Sequence, residues 1–115
     1  MFQIEGKVEA SLIMLMKDAL PNEVGGIIVR EREVHVLHNH SEHPHDEFLF
    51  YLSELKTAVL HYQVPLDRIN EDVILWHTHP AGLIGPSRKD MQNRTPLKHH
   101  LVLTHVDGNL VPTWY

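Results

Sequence analysis

The sequence predicts an α+β, or mixed α/β, domain, and three observations carry that expectation. Apolar residues keep helical spacing in two stretches, they alternate or run together in five others, and Pro or Gly stands at most of the joins. At 115 residues with 43% hydrophobic side chains, the chain is expected to be one domain over residues 1–115 with a single core.

Lys7 to Leu20 opens the chain as a helix, with Leu12, Ile13, Leu15 and Met16 set to pack on a sheet and Pro21 ending it. Glu23 to Arg30 contains Val-Gly-Gly-Ile-Ile-Val, the run of a buried strand, and its Gly25-Gly26 pair marks close packing or a bulge. Glu33 to Leu37 alternates Val34 and Val36 with His35 and completes a hairpin. Asn39 to Asp46 is a polar loop holding Pro44. A second helix is predicted from Asp46 or Glu47 to His61, because Phe48, Leu52, Leu55 and Val59 fall on one face. Asp72 to Trp76 is an apolar strand, with Trp76 directed to the core, that runs into His77-Thr78-His79-Pro80. Two Gly and a Pro make Ala81 to Pro86 a loop, whose Leu83 and Ile84 are a candidate lid. Ser87 starts a short helix. Leu97 to His105 is a strand by the alternation of Leu101 and Leu103, and Asp107-Gly108 is a tight turn. Leu110 to Tyr115 returns as a strand, whose Trp114 and Tyr115 are a candidate subunit contact.

Composition narrows the chemistry. Ten Lys and Arg against fifteen Asp and Glu give a net charge of −5, which disfavours a nucleic acid partner. There is no Cys, so disulfides, thiolate metal sites and cysteine nucleophiles are excluded, and any metal must be held by imidazole and carboxylate. Eleven His make the net charge sensitive to pH near neutrality. The longest apolar stretch, Leu12 to Met16, falls far short of the roughly eighteen residues of a membrane span. The N-terminus lacks the form of a signal peptide, and a cytoplasmic protein is expected.

His77 and His79 stand two apart in a strand, so both imidazoles face one side and can meet one ion. Asp90 is the nearest carboxylate downstream, and the Gly/Pro loop between lets the chain fold back to supply a third ligand. Two imidazoles and a carboxylate leave zinc one open position for water, the pattern of a catalytic site. Glu23, at the edge of the hairpin strand, is the candidate base.

The full spacing is specific. His77-x-His79, seven residues, then Ser87-x-x-Asp90, preceded by a distant Glu in Pro21-Asn22-Glu23-Val24-Gly25-Gly26, closely resembles the signature of the JAMM (MPN+) zinc metalloproteases. Trp76-His77-Thr78-His79-Pro80 looks like that family's His-Ser/Thr-His-Pro strand end, and Asn39 to Pro44 is similar to its Asn-x-x-x-x-Pro turn. The resemblance implies a small prokaryotic or phage-type member with a curved mixed sheet flanked by helices, a cytidine-deaminase-like architecture. It implies one zinc per chain on His77, His79 and Asp90, with Glu23 as general base and Ser87 donating to the oxyanion. The activity implied is hydrolysis of a peptide or isopeptide bond. Two settings follow from it. One is trimming of ubiquitin-like proteins in the cytoplasm; the other is a phage tail-assembly peptidase, in the virion tail, whose partner is a cell-wall hydrolase. Gly25 stands where many relatives carry Cys, a position outside their catalytic set. Little chain follows Asp90, which leaves small room for the insertions with which deubiquitinating relatives grip ubiquitin.

Blander readings stand beside these. Ser87-x-x-Asp90 is also a helix-start pattern, with Ser as cap and the acid near the positive end of the dipole. His35, His38, His40, His43 and His45 run from a strand into a polar loop and read as solvated, with a second metal site as the alternative. His99 and His100 alternate on a strand, so at most one approaches the pocket, and a structural or surface role is expected. A non-catalytic MPN-type binding or assembly module is the rival function, although such relatives usually lose ligands that this chain retains. A RadC-like role in DNA repair is the weakest reading, because no basic stripe supports it.

Overall fold

Strand β3, Val73–His79, is buried at every position, and this follows from its place in the middle of a five-stranded sheet covered on both faces. The computed structural model describes residues 5–82 and 84–115. Helix α1 (Gly6–Ala19) leads into the hairpin β1 (Gly25–Val29) and β2 (Glu33–Leu37), then α2 (Leu52–His61), a 3₁₀ turn (Leu66–Arg68), α3 (Ile69–Asp72) and β3. A short helix α4 (Arg88–Gln92) separates β3 from the second hairpin, β4 (His100–Val106) and β5 (Asn109–Trp114). The sheet order is β2-β1-β3-β4-β5; only β3 and β4 run parallel.

The period of two along β3 sorts its side chains between two cores. Ile74 and Trp76 join Val8, Leu12 and Met16 of α1, together with Ile28, Leu101 and Leu103. Val73 and Leu75 face the other way, onto Leu55 and Ala58 of α2 with Ile27, Val29 and Leu37. His77 and His79 continue that second face past the end of α2. The paired glycines are needed for close approach. A Cβ on Gly26 would sit 1.9 Å from the His35 carbonyl oxygen, and one on Gly25 would meet the Trp76 carbonyl at 2.6 Å and the Phe48 ring at 2.7 Å.

Three elements differ from the sequence expectation, one of them β4, which begins at His100 and not at Leu97. Helix α2 begins at Leu52, not at Asp46 or Glu47. Asn39 is the cause: its Oδ1 accepts the Ser41 and Leu49 N–H groups, and its Nδ2 donates to the Glu47 and Glu23 carbonyls. His40 N–H donates to the Leu49 carbonyl as well, so the backbone around 47–49 is already claimed in a non-helical form. Phe48 therefore lies off the helix face assigned to it. Asp72 closes α3 instead of opening β3, receiving Arg68 Nη2 at 3.0 Å. Of the candidate lid, Ile84 is exposed, and Leu83 lies outside the described residues. Tyr115 is tied down, its N–H donating to the His100 carbonyl at 3.0 Å. Among the described residues no helix is long and apolar enough to cross a membrane.

Candidate metal centre

The last three residues of β3 build the site. Thr78, fully buried between the two histidines, fastens β3 to the chain beside Glu23: its N–H donates to the Val24 carbonyl at 2.8 Å and its Oγ1 accepts the Val24 N–H at 3.1 Å. Glu23 is held from its other side by Asn39 on its carbonyl and by its own N–H donating to the Pro44 carbonyl at 2.7 Å. This is the work of the Asn39 to Pro44 turn, and the sequence showed the turn without showing what it grips.

His77 Nε2 and His79 Nε2 lie 3.3 Å apart, and Asp90 Oδ2 lies 3.1 Å from the first and 3.0 Å from the second. Bonds of about 2.0–2.1 Å in a tetrahedron put donor atoms roughly 3.3 Å apart, so these three atoms have the spacing of zinc ligands. Glu23 Oε2 stands further back, 4.0 Å from His79 Nε2, and its Oε1 is buried with no hydrogen-bond partner. Glu23, His77 and His79 are all buried and their ligand atoms fall within 4.8 Å of one another, a group that could hold a metal ion. An orphaned carboxylate oxygen behind two close imidazole nitrogens fits a cation, since two nitrogens and two carboxylates otherwise crowd together with too few protons to satisfy them.

Electrostatics separates the two carboxylates. Burial pushes Glu23 up to about 8, with His79 opposing and Asp90 adding to the rise. Burial also works to raise Asp90, but hydrogen bonds from His77 and His79 outweigh it and hold that carboxyl far below the usual range. In the metal-free protein the folded state thus keeps a proton on Glu23 that the unfolded state gives up above its ordinary value of 4.5. The stability this supplies is complete below that value and is lost as pH rises through about 8, a swing on the order of a few kcal/mol. Urea midpoints of metal-stripped protein should fall between about pH 5.5 and 8.5, and in a Glu23→Gln variant this decline should shrink. An equal decline in both would remove Glu23 as its source. Asp90 acts in the opposite sense and below this window.

Ser87 behaves as a helix cap: its Oγ accepts the Asp90 N–H at 3.1 Å, and its own N–H donates to Asp90 Oδ2 at 2.8 Å. The capping box places Asp90 Oδ2 beside both imidazoles. Two aromatic rings set His77: Phe48 stacks on it at 6.2 Å, and Tyr115 meets it edge-on at 6.3 Å. Neither was legible as a site residue. His100 is buried, with Nε2 2.8 Å from Thr95 Oγ1 and its ring 5.3 Å from Tyr115, and burial first, then Arg94, lowers it to about 4. It therefore lines the cavity beside the site, although a structural or surface role was expected of the pair His99 and His100. The histidines of residues 35–45 engage different partners. His40 stacks on Tyr51 and bonds to Glu54, His35 reaches the Tyr62 hydroxyl, and His43 and His45 meet edge-on.

A family model described as prokaryotic homologs of the JAB domain matches residues 6–114. Among solved structures, the chain is similar to protein DSY2949 from Desulfitobacterium hafniense, a solution structure, with a TM-score of 0.66 and 24% identity. The match covers 95% of this chain and 79% of that one, and at that identity it speaks for the fold alone. No curated protein matches the chain. The mixed sheet flanked by helices is the architecture that the sequence resemblance implied.

Proposed function

Because the chain belongs to the prokaryotic homologs of the JAB domain, we propose that it is a zinc-dependent hydrolase of peptide or isopeptide bonds, with His77, His79 and Asp90 holding the ion. The observation that carries this reading is the triangle of Nε2, Nε2 and Oδ2 at 3.0–3.3 Å with the Glu23 carboxyl one step behind it. The ion, when bound, acidifies a water and polarises a carbonyl.

The remaining steps belong to the chain itself. Glu23 takes the proton of the attacking water and passes it to the leaving amine. Its burial raises its proton affinity in the metal-free protein, and the charge of a bound ion would lower it again, so that the carboxylate could accept the proton and hold it for the amine. Ser87 Oγ is occupied as an acceptor by the Asp90 N–H, which leaves its hydroxyl proton to be donated to the oxygen that gains charge. Thr78 and Asn39 fix the backbone that carries Glu23 and so act as positioning residues.

Metal analysis after mild chelation tests the reading. About one zinc per chain is expected in the natural sequence and none in His77→Ala, while replacement of His38, His43 and His45 leaves the count unchanged. Zinc that survives in His77→Ala would overturn the assignment and leave the non-catalytic binding module standing. The loaded protein should then cleave members of a peptide library, read by mass spectrometry.

A further inference from the structure

Beside the metal centre lies a cavity of about 350 Å³, within the usual range of ligand sites. His77 and Asp90 are part of its lining, so whatever fills it sits beside the candidate metal centre. Its lining is mostly apolar, with Phe48, Phe50, Leu75 and the Tyr115 ring in it, and Asn93 and Thr95 add polar groups. Tyr115 is fixed there by its N–H on the His100 carbonyl and by Arg94 Nη2, which donates to the Tyr115 carbonyl at 3.4 Å. The wall is thus built in place.

We propose that this cavity receives a bulky apolar side chain of the substrate, Phe- or Leu-like, immediately beside the bond that is cut. The claim rests on the metal-dependent hydrolysis argued above and narrows its substrate class. Arg94 also lines the cavity and disfavours a basic side chain there. A substrate ending in glycines would leave these aromatic walls unfilled and wet.

Hydroxamates test this, because they chelate zinc whether or not their substituent finds a pocket. Acetohydroxamate, phenylacetohydroxamate and N-benzylacetohydroxamate would be titrated into zinc-loaded protein by calorimetry. One of the two benzyl compounds should bind at least about tenfold more tightly than acetohydroxamate, and which one does so tells the side of the scissile bond that the cavity serves. Leu49 and Leu52 are exposed at the rim, so a Leu49→Ser, Leu52→Ser double variant keeps the core intact. It should lose most of the gain and bind acetohydroxamate as before. Equal affinity for all three compounds would overturn the cavity's role and leave the zinc centre in place. Failure of even acetohydroxamate to bind would overturn the open position on the zinc that the hydrolase reading needs and, with it, the proposal.

Discussion

Glu23→Gln is expected to lower turnover by roughly 10²- to 10⁴-fold while leaving zinc content unchanged, because it removes a proton carrier and keeps its shape. The amide occupies the same buried space, so packing at the start of β1 is preserved. Metal analysis and single-turnover kinetics on the same preparation separate the alternatives. Glu23, His77 and His79 also form a compact group on their own. If the glutamine variant loses its zinc, Glu23 is a ligand and Asp90 has another task. If zinc and turnover both persist, Glu23 carries no proton.

Asp90 should show the second large effect. Asp90→Ala removes a carboxylate whose Oδ2 is 3.0–3.1 Å from both imidazoles, and zinc affinity should fall by more than about 100-fold, beyond the loss typical of outer-shell changes. The same substitution deletes half of the capping box of α4, which costs on the order of 1 kcal/mol. Asp90→Asn keeps an oxygen for the Ser87 N–H and so should retain the helix start while weakening the metal. Competition with a chromophoric chelator measures the first effect and thermal unfolding the second. Equal zinc affinity in all three proteins would remove Asp90 from the ligand set.

The parts of the site that were legible in the sequence are those set by local periodicity. His77 and His79 share a face because a strand repeats every two residues, and Ser87 with Asp90 show the spacing of a helix start. The sheet was legible for the same reason, strand by strand. Glu23 needed the hairpin and the family resemblance to bring it near β3. What stayed hidden is tertiary. The helical pattern from Phe48 to Val59 is real as a pattern, but two hydrogen bonds of the Asn39 side chain with Glu47 and Leu49, together with that of the His40 N–H to the Leu49 carbonyl, hold its first turn out of the helix. Phe48 then became free to stack on His77 and to fill the space that Gly25 leaves. Tyr115 lies far from the motif in sequence and reaches it only through the parallel pairing of β3 with β4, which no local signal announces.

The position of Pro112 in β5 has a consequence for how molecules of this protein meet. Tyr115 bonds to β4 through its N–H, so by alternation Val111 and Thr113 also turn toward β4, and Pro112 turns away from it, toward the side where the sheet has no further strand among the described residues. A strand arriving there from a neighbouring molecule finds a missing donor midway along the edge. The ladder that would seed fibrous stacking is interrupted at its centre, and this protects a short, largely apolar strand from pairing with its own kind at high concentration.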